Sequence, residues 1–280
     1  MLLLIIKIGL EDLAEFSEVK IMKQRIVTGI IAAALFIPLV IFGGNAFNIA
    51  MTLLGLVGIY ELLKMRKLPL LSVFSLTIIF LYLWLVPKQH IIQIFNLIEK
   101  NDIILFGGLA LLSLTVVTKN KYTFDDVGYA LVSLLYVTAG FYFMQLTRAE
   151  GLAVTLFPFF IIWFTDSGAY FSGMTFGKHK LWPEISPKKT VEGFIGGIII
   201  ACIIPCVFFF SGFIDESLAK LVLITIVISI AGQFGDLIQS AFKRHYKIKD
   251  SGNILPGHGG ILDRFDSLIF IMPIYFYIMF

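Results

Sequence analysis

The chain has 280 residues, of which 58% are hydrophobic and 15% are charged, and its mean hydropathy is +0.92. These values exclude an ordinary soluble domain and predict an integral membrane protein. The net charge of +3 says little, because the positions of the charges carry the information. The two cysteines, Cys202 and Cys206, lie in one apolar run, so we expect packing roles rather than a disulfide or a zinc site.

Residues 1–25 are predicted to form an amphipathic amino-terminal segment. Leu10, Leu13 and Phe16 share one helical stripe with acidic residues opposite, a pattern typical of a short interfacial helix. The apolar run at 2–6 is too short to span a bilayer, and no small-residue cleavage site of a signal peptide follows it.

Apolar segments of about spanning length follow along the chain. They run over 26–43, 46–63, 68–86, 103–118, 127–147, 151–172, 193–213, 218–240 and 262–280. The glycine pair at 43–44 predicts a tight turn between the first two. The predicted fold is therefore an all-α polytopic membrane protein with about nine transmembrane helices.

Lysine and arginine positions determine the predicted orientation, because cytoplasmic connections carry an excess of them. With the amino terminus inside, 18 of the 22 lie on cytoplasmic connections. The other four are Lys88, Lys100, Arg148 and Lys220. We predict a cytoplasmic amino terminus, an outside carboxyl terminus and a location in the cell inner (plasma) membrane. For the outside loop that carries Ile91, Phe95 and Ile98 at helical spacing, an interfacial helix and a plain loop both remain open.

The two halves of the chain differ in where their polar residues lie. Residues 26–150 carry no charge deep in a predicted span, which predicts a transmembrane scaffold. Residues 151–280 are predicted to form the catalytic region, with cytoplasmic loops at 173–192 and 241–262. Asp166 lies inside the sixth segment, where an ionisable side chain indicates function.

The eighth segment carries one polar stripe, formed by Gln233, Asp236 and Ser240. The predicted orientation places Asp166, Asp236, Asp263 and Asp266 toward the cytoplasmic side. Convergence of these acids would give a metal site. Helix packing is the alternative role for Gln233 and Ser240.

The stretch 240–266 is dense in charge, with five lysines or arginines, two histidines, three aspartates and four glycines. Asp263 and Asp266 share a face of a helix, and paired carboxylates can hold Mg²⁺. The glycine-rich loop at 256–260 lets the backbone approach an anion, and the cations suit a polyphosphate. The alternative is an ordinary positive-inside loop with two helix-capping aspartates.

A second cytoplasmic loop carries Ser186-Pro187-Lys188-Lys189-Thr190 at the mouth of the seventh segment, where free backbone donors and cations favour anions. The chain resembles the phosphatidate cytidylyltransferase (CDP-diacylglycerol synthase) family over about residues 23–280. The resemblance rests on Ser240-x-x-Lys243-Arg244, Lys249-Asp250-Ser251-Gly252, Leu255-Pro256-Gly257-His258-Gly259-Gly260, Leu262-Asp263-Arg264-Phe265-Asp266, the 186–193 motif and Asp166-Ser167-Gly168-Ala169-Tyr170. Met174 departs from the pattern, which has a lysine or arginine there.

The resemblance implies a nucleotidyltransferase that makes CDP-diacylglycerol and pyrophosphate from CTP and phosphatidic acid, with Mg²⁺, at the cytoplasmic membrane face. It implies a homodimer in the bilayer, and we expect no nucleic-acid partner. The implied metal ligands are Asp236, Asp263 and Asp266. The implied catalytic residues are these three with Lys188 and Arg264. The implied substrate-binding residues are Asp166, Ser186, Lys189, Thr190, Lys243, Arg244, Lys249 and His258.

Two other functions compete with this one. A secondary transporter with an intramembrane carboxylate ion site is the main alternative, but the sequence has no matched pair of broken helices in two halves. A CDP-alcohol phosphotransferase is a third candidate, but its multi-aspartate motif, which begins Asp-Gly and continues Ala-Arg, does not occur in this sequence.

Overall fold

The computed structural model describes residues 23–86 and 100–280, which form ten helices and one hairpin. The helices are α1 Lys23–Phe42, α2 Gly44–Met65, α3 Val73–Leu85, α4 Lys100–Val117, α5 Phe124–Glu150, α6 Leu152–Phe176, α7 Val191–Ala201, α8 Ile203–Phe210, α9 Leu218–His245 and α10 Leu262–Met279. The strands are β1 Lys180–Trp182 and β2 Ser186–Thr190. Most of the predicted amphipathic segment, and the outside loop with Ile91, Phe95 and Ile98, lie outside the described residues.

Within the described ranges, six helical spans are long and apolar enough to cross a membrane. They are α1, α2, α5, α6, the α7–α8 pair at Val191–Phe210, and α9. The apolar helices Val73–Leu85 and Asp102–Val117 are shorter, and the 18 residues of α10 include three charged ones near its start. The prediction of a helical membrane protein is confirmed, while the count of nine spans and the orientation stay predictions.

Local sequence explains two departures from the predicted segments. Ser72 caps α3, accepting a hydrogen bond from the Ser75 N–H at 3.2 Å, so the helix begins later than the predicted start at 68. The seventh segment is broken at Cys202 into α7 and α8. Pro205 has no N–H to donate to the preceding turn, which favours a break there.

The loop before α7 contains an antiparallel hairpin that the sequence analysis did not predict. Lys180 pairs with Thr190, and Trp182 with Ser186. Glu192 holds the start of the hairpin, because its carboxylate accepts the His179 N–H at 3.2 Å and lies 2.6 Å from His179 Nδ1. Thr190 then caps α7 by accepting the Gly193 N–H at 3.1 Å.

The interior is formed where α9 and α10 pack along each other and against α5 and α6, with α2 behind α5. Large side chains fill it, among them the fully buried Tyr82, Phe141 and Tyr275. By contrast α1 is mostly exposed, and its contacts with the rest include Phe36, which packs on Phe159 and Phe265, and the Val40 carbonyl, which accepts a hydrogen bond from Arg148. Polar side chains collect where α9 ends and α10 begins, so both termini contribute to one site.

Candidate active site

Asp263 lies in the first turn of α10 and accepts four hydrogen bonds. Lys243 Nζ donates to Oδ1 at 2.7 Å. The N–H and hydroxyl of Ser251 donate to Oδ2 at 2.8 and 3.0 Å, and the Gly260 N–H donates to it at 2.9 Å. Only 5% of the Asp263 side chain and 14% of the Lys243 side chain are exposed, so water screens their attraction little. Asp263 thus ties α9 and the glycine-rich loop to α10.

Three other acids come from three different helices and interact electrostatically with one another. They are Asp166 of α6, Asp236 of α9 and Asp266 of α10. Lys189 of β2 pairs with Asp236, with 2.6 Å between Nζ and Oδ2. The Ser240 hydroxyl donates to the same carboxylate at 3.3 Å. The hairpin therefore brings a lysine into contact with Asp236, one of these acids.

These acids differ in how well their contacts would allow them to hold a divalent cation. In the described ranges, no group of three or more His, Cys, Asp and Glu side chains is placed to hold a metal ion. Asp263 fits least in its present contacts, because Oδ2 already accepts three hydrogen bonds. In contrast, the Asp266 carboxylate accepts a hydrogen bond from only one group among the described residues, the Ser267 N–H.

An unpartnered amide supports a cation near Asp236 and Asp266. Gln239 lies one turn along α9 from Asp236 and is fully buried. Neither its oxygen nor its nitrogen has a hydrogen-bond partner in the part of the chain that the structure describes. A buried polar group without a partner suggests a missing ion or water, and hard divalent cations prefer amide and carboxylate oxygens. Gln239, one turn from Asp236, is therefore a further candidate ligand beside the predicted acids.

A first cavity, of about 520 Å³, lies beside the glycine-rich loop. Its lining includes Lys249, His258 and Arg264, and Arg264 Nε donates to the His258 carbonyl at 2.9 Å. Arg25 of α1 also lines it, next to Gly257, and was not predicted. An arginine just before an apolar segment resembles any positive-inside flank, so no sequence pattern distinguishes Arg25 as a site residue.

The second cavity, of about 370 Å³, is enclosed by α6, the hairpin, α7 and α9. Its polar side carries Asp166, Lys188, Lys189, Thr190 and Asp236. The remaining lining residues are Ala169, Tyr170, Gly173, Met174, Leu181, Gly193, Phe194 and Gln233. The cavity thus presents two lysines beside apolar and aromatic side chains.

The sequence model of the Cytidylyltransferase family matches residues 23–280. The chain belongs to this family. Similar curated proteins include the "Phosphatidate cytidylyltransferase" of Bacillus subtilis (strain 168), 47% identical over 262 residues, which are 92% of this chain and 97% of that protein. Proteins of the same name from Staphylococcus haemolyticus (strain JCSC1435) and Staphylococcus aureus (strain COL) are each 44% identical over 90% of this chain and 97% of their own lengths. The resemblance found in the sequence is confirmed.

The remaining predicted residues of this cytidylyltransferase lie on the hairpin and at the end of α9. Arg244 Nε donates to the Ile185 carbonyl at 3.3 Å, which ties the end of α9 to the hairpin. Ser186 begins β2, opposite Trp182. Thr190 is buried at the cap of α7 while still lining the second cavity. Arg244 and Thr190 thus have structural contacts beside the predicted roles in binding substrate.

Sequence reasoning missed one buried acid of the cytidylyltransferase, Glu61 of α2. Its carboxylate accepts the N–H groups of Ile261 and Leu262 at 2.8 and 3.0 Å, and it shares the Ser251 hydroxyl hydrogen, at 2.8 Å, with Asp263. Glu61 lies near the end of α2 and is 0% exposed, so the region predicted as scaffold contributes a buried acid to the site. A lone acid in an apolar run was the available signal.

Proposed function

We propose that this cytidylyltransferase transfers the cytidylyl group of CTP to phosphatidic acid, giving CDP-diacylglycerol and pyrophosphate. The observation that carries the proposal is the pair of cavities at the acidic end of the bundle. Gly259, which lines the first, lies against Asp263, and Asp236, which lines the second, lies on the same helix as Lys243. The first cavity is lined mainly by polar and cationic residues, whereas the second places two lysines beside apolar side chains.

The first cavity is proposed to bind CTP. Arg25, Lys249 and Arg264 match the charge of a triphosphate, and a volume of about 520 Å³ lies within the usual range of small-molecule sites. The second cavity is proposed to bind phosphatidic acid. Lys188 and Lys189 suit its phosphate, while the apolar side chains suit the glyceride and the start of its acyl chains.

The proposed reaction is one in-line displacement at the α-phosphorus of CTP by the phosphate of phosphatidic acid. A phosphate monoester has its second pKa at about 6, so the nucleophile is largely dianionic near neutral pH and needs no general base. The chain must instead align two anions and neutralise their charge, for which Lys188, Lys189 and Arg264 are placed. Mg²⁺, held by Asp236, Asp266 and Gln239, would neutralise phosphate charge when bound.

The cellular arrangement is part of the proposal. The distribution of lysine and arginine supports nine spans, a cytoplasmic amino terminus, an outside carboxyl terminus and a site that faces the cytoplasm across the inner membrane. Residues 151–280 are proposed as the catalytic region and 26–150 as scaffold, although Glu61 within the scaffold and Arg25 just before it contact the site. A homodimer is proposed from the family resemblance.

The purified protein should release pyrophosphate from CTP only when phosphatidic acid is present, with CDP-diacylglycerol as the lipid product. A single diastereomer of CTP with sulfur at the α-phosphate should give product of inverted configuration, because one displacement inverts phosphorus. Retention would contradict direct displacement and indicate a covalent enzyme intermediate. Failure to release pyrophosphate, with ion-coupled uptake into vesicles, would favour the secondary transporter.

Replacing Arg25 by glutamine should raise KM for CTP about tenfold and change kcat less than about threefold, since a hydrogen bond to a charged group contributes about 1.5–3 kcal/mol. Initial rates over a range of CTP concentrations would measure both constants. Lys23→Gln is the matched control, because Lys23 lies on the same helix, is exposed and is not among the residues that line the cavity. Equal effects of the two substitutions would contradict a specific role for Arg25.

A further inference from the structure

Glu61 is a fully buried carboxylate, and neutral hydrogen-bond donors replace the water that it loses on burial. No lysine, arginine or histidine within the described ranges forms an ion pair with it. A buried charge is costly unless hydrogen bonds replace its water. Here the Ile261 and Leu262 N–H groups and the Ser251 hydroxyl replace it. Glu61 of α2 is therefore hydrogen-bonded to the polar stretch at the start of α10.

The start of α10 explains why an acid is needed there. The first N–H groups of a helix have no partner within it, and a Ser, Thr, Asp or Asn side chain usually caps them. The residue at the cap position is Ile261, which offers no side-chain hydrogen bond. Glu61 supplies the missing acceptor from another helix, and its negative charge suits the positive end of the helix dipole.

Two glycines of the polar stretch lie very close to the Glu61 carboxylate. A methyl group on Gly252 would lie 2.6 Å from Glu61 Oε1, and the three atoms nearest to it all belong to Glu61. A methyl group on Gly260 would collide with both carboxylate oxygens and with the Ser251 hydroxyl. The absence of a side chain at these positions makes the close approach possible. Gly252 therefore serves as a specific probe of Glu61.

We propose that Glu61 is a positioning residue for cytidylyl transfer, which rests on the function proposed above. By holding the backbone of Ile261 and Leu262, it fixes the start of α10 and therefore the direction in which Asp263 and Asp266 project. Through Ser251 it also fixes the turn whose N–H group binds Asp263. Glu61 is not among the residues that line either cavity, so it acts through these groups rather than on a substrate.

Replacing Glu61 by glutamine places an NH₂ group among three donors and should displace the start of α10. We expect kcat to fall about 100-fold, since misplacement by about 1 Å can cost that much in rate, with a smaller rise in KM for CTP because Arg264 of the first cavity lies in the same turn. Glu150→Gln, an exposed substitution at the end of α5, is the matched control and should leave both constants unchanged. A rise in KM with normal kcat would overturn the proposal.

A double substitution separates positioning from general loss of fold. Gly252→Ala alone should reduce kcat about tenfold or more, because its methyl group would meet the carboxylate. In a Glu61→Ala background the same change should cost less than about threefold, since the obstacle is gone. If Glu61→Ala does not fold, Glu61→Asp, which shortens the side chain by one methylene, takes its place and should give partial relief. If the effects of Gly252→Ala and of the Glu61 substitution on kcat are simply additive, the proposal is overturned.

Amide hydrogen exchange gives a readout that does not depend on catalysis. The N–H groups of Ile261 and Leu262 should exchange slowly in the unaltered protein and much faster in Glu61→Gln, with exchange in α5 unchanged. Faster exchange with normal kcat would overturn the positioning role. If the unaltered protein transfers no cytidylyl group at all, the proposed function fails, and the exchange data alone then decide whether Glu61 anchors α10.

Discussion

Asparagine in place of Asp236 should reduce kcat by about 10³-fold or more, the upper part of the range for removal of one stabilising group from an active site. Asp236 lines the second cavity, pairs with Lys189 at 2.6 Å and interacts with Asp166 and Asp266. An amide carries no charge with which to hold a cation, and it leaves Lys189 without its counter-ion. Turnover at saturating CTP, phosphatidic acid and Mg²⁺ measures the loss.

Loss of the fold has to be separated from loss of chemistry in that experiment. Asp215→Asn, an exposed substitution in the turn before α9, is the matched control and should keep normal turnover. Asp236→Asn should still insert into membranes and purify with an unaltered size-exclusion profile. Near-normal turnover of Asp236→Asn at saturating Mg²⁺ would rule out a cation site at this acid.

Removing the charge of Asp263 should destabilise the protein as well as inactivate it. Asp263→Asn leaves Lys243 buried without a counter-ion, and loss of one partner of a buried pair costs about 3–5 kcal/mol. Both side chains are at most 14% exposed, so water offers little compensation. Thermal unfolding in detergent should show a marked fall in Tm, and cytidylyl transfer should be lost.

The double variant Lys243→Met/Asp263→Asn distinguishes the two consequences. Methionine removes the unpaired cation, so the double variant should be more stable than Asp263→Asn alone. Its activity should remain absent if Lys243 and Asp263 also align the reacting groups. Recovery of activity together with stability would show that the pair serves only the fold. Lys247→Met, an exposed change just after α9, is the control for loss of a cation.

Several of the predicted site residues that lie close together in the structure also lie close together along the chain. Lys243, Asp263 and the glycines between them belong to one stretch, and spacing alone brings them near one another. Asp236 and Asp166 were identified because a charged side chain is rare within an apolar segment. Hydropathy also placed most of the long helices, since the bilayer requires a continuous apolar run.

The contacts that the sequence did not predict depend on packing between distant segments. Glu61 meets Leu262 across 201 positions of the chain, and no local pattern indicates that partner. Arg25 reaches the first cavity only because α1 lies against the glycine-rich loop. Strand β1 has three residues, too few to show alternation, so the hairpin was missed. Gln239 is distinguished only by its burial and its lack of a hydrogen-bond partner among the described residues, features that no sequence pattern indicates.

The position of α1 has a practical consequence for handling the protein. Arg25 and Gly29, both near the beginning of α1, lie against Gly257 and His258 of the first cavity. A tag joined close to residue 23 would therefore add bulk beside the cavity proposed to bind CTP. The carboxyl end of α10 is different, since a helix of 18 residues carries Met279 about 27 Å from its first turn. Purification tags, fluorophores and surface tethers are better attached after Phe280, where they leave the reacting end of the bundle free.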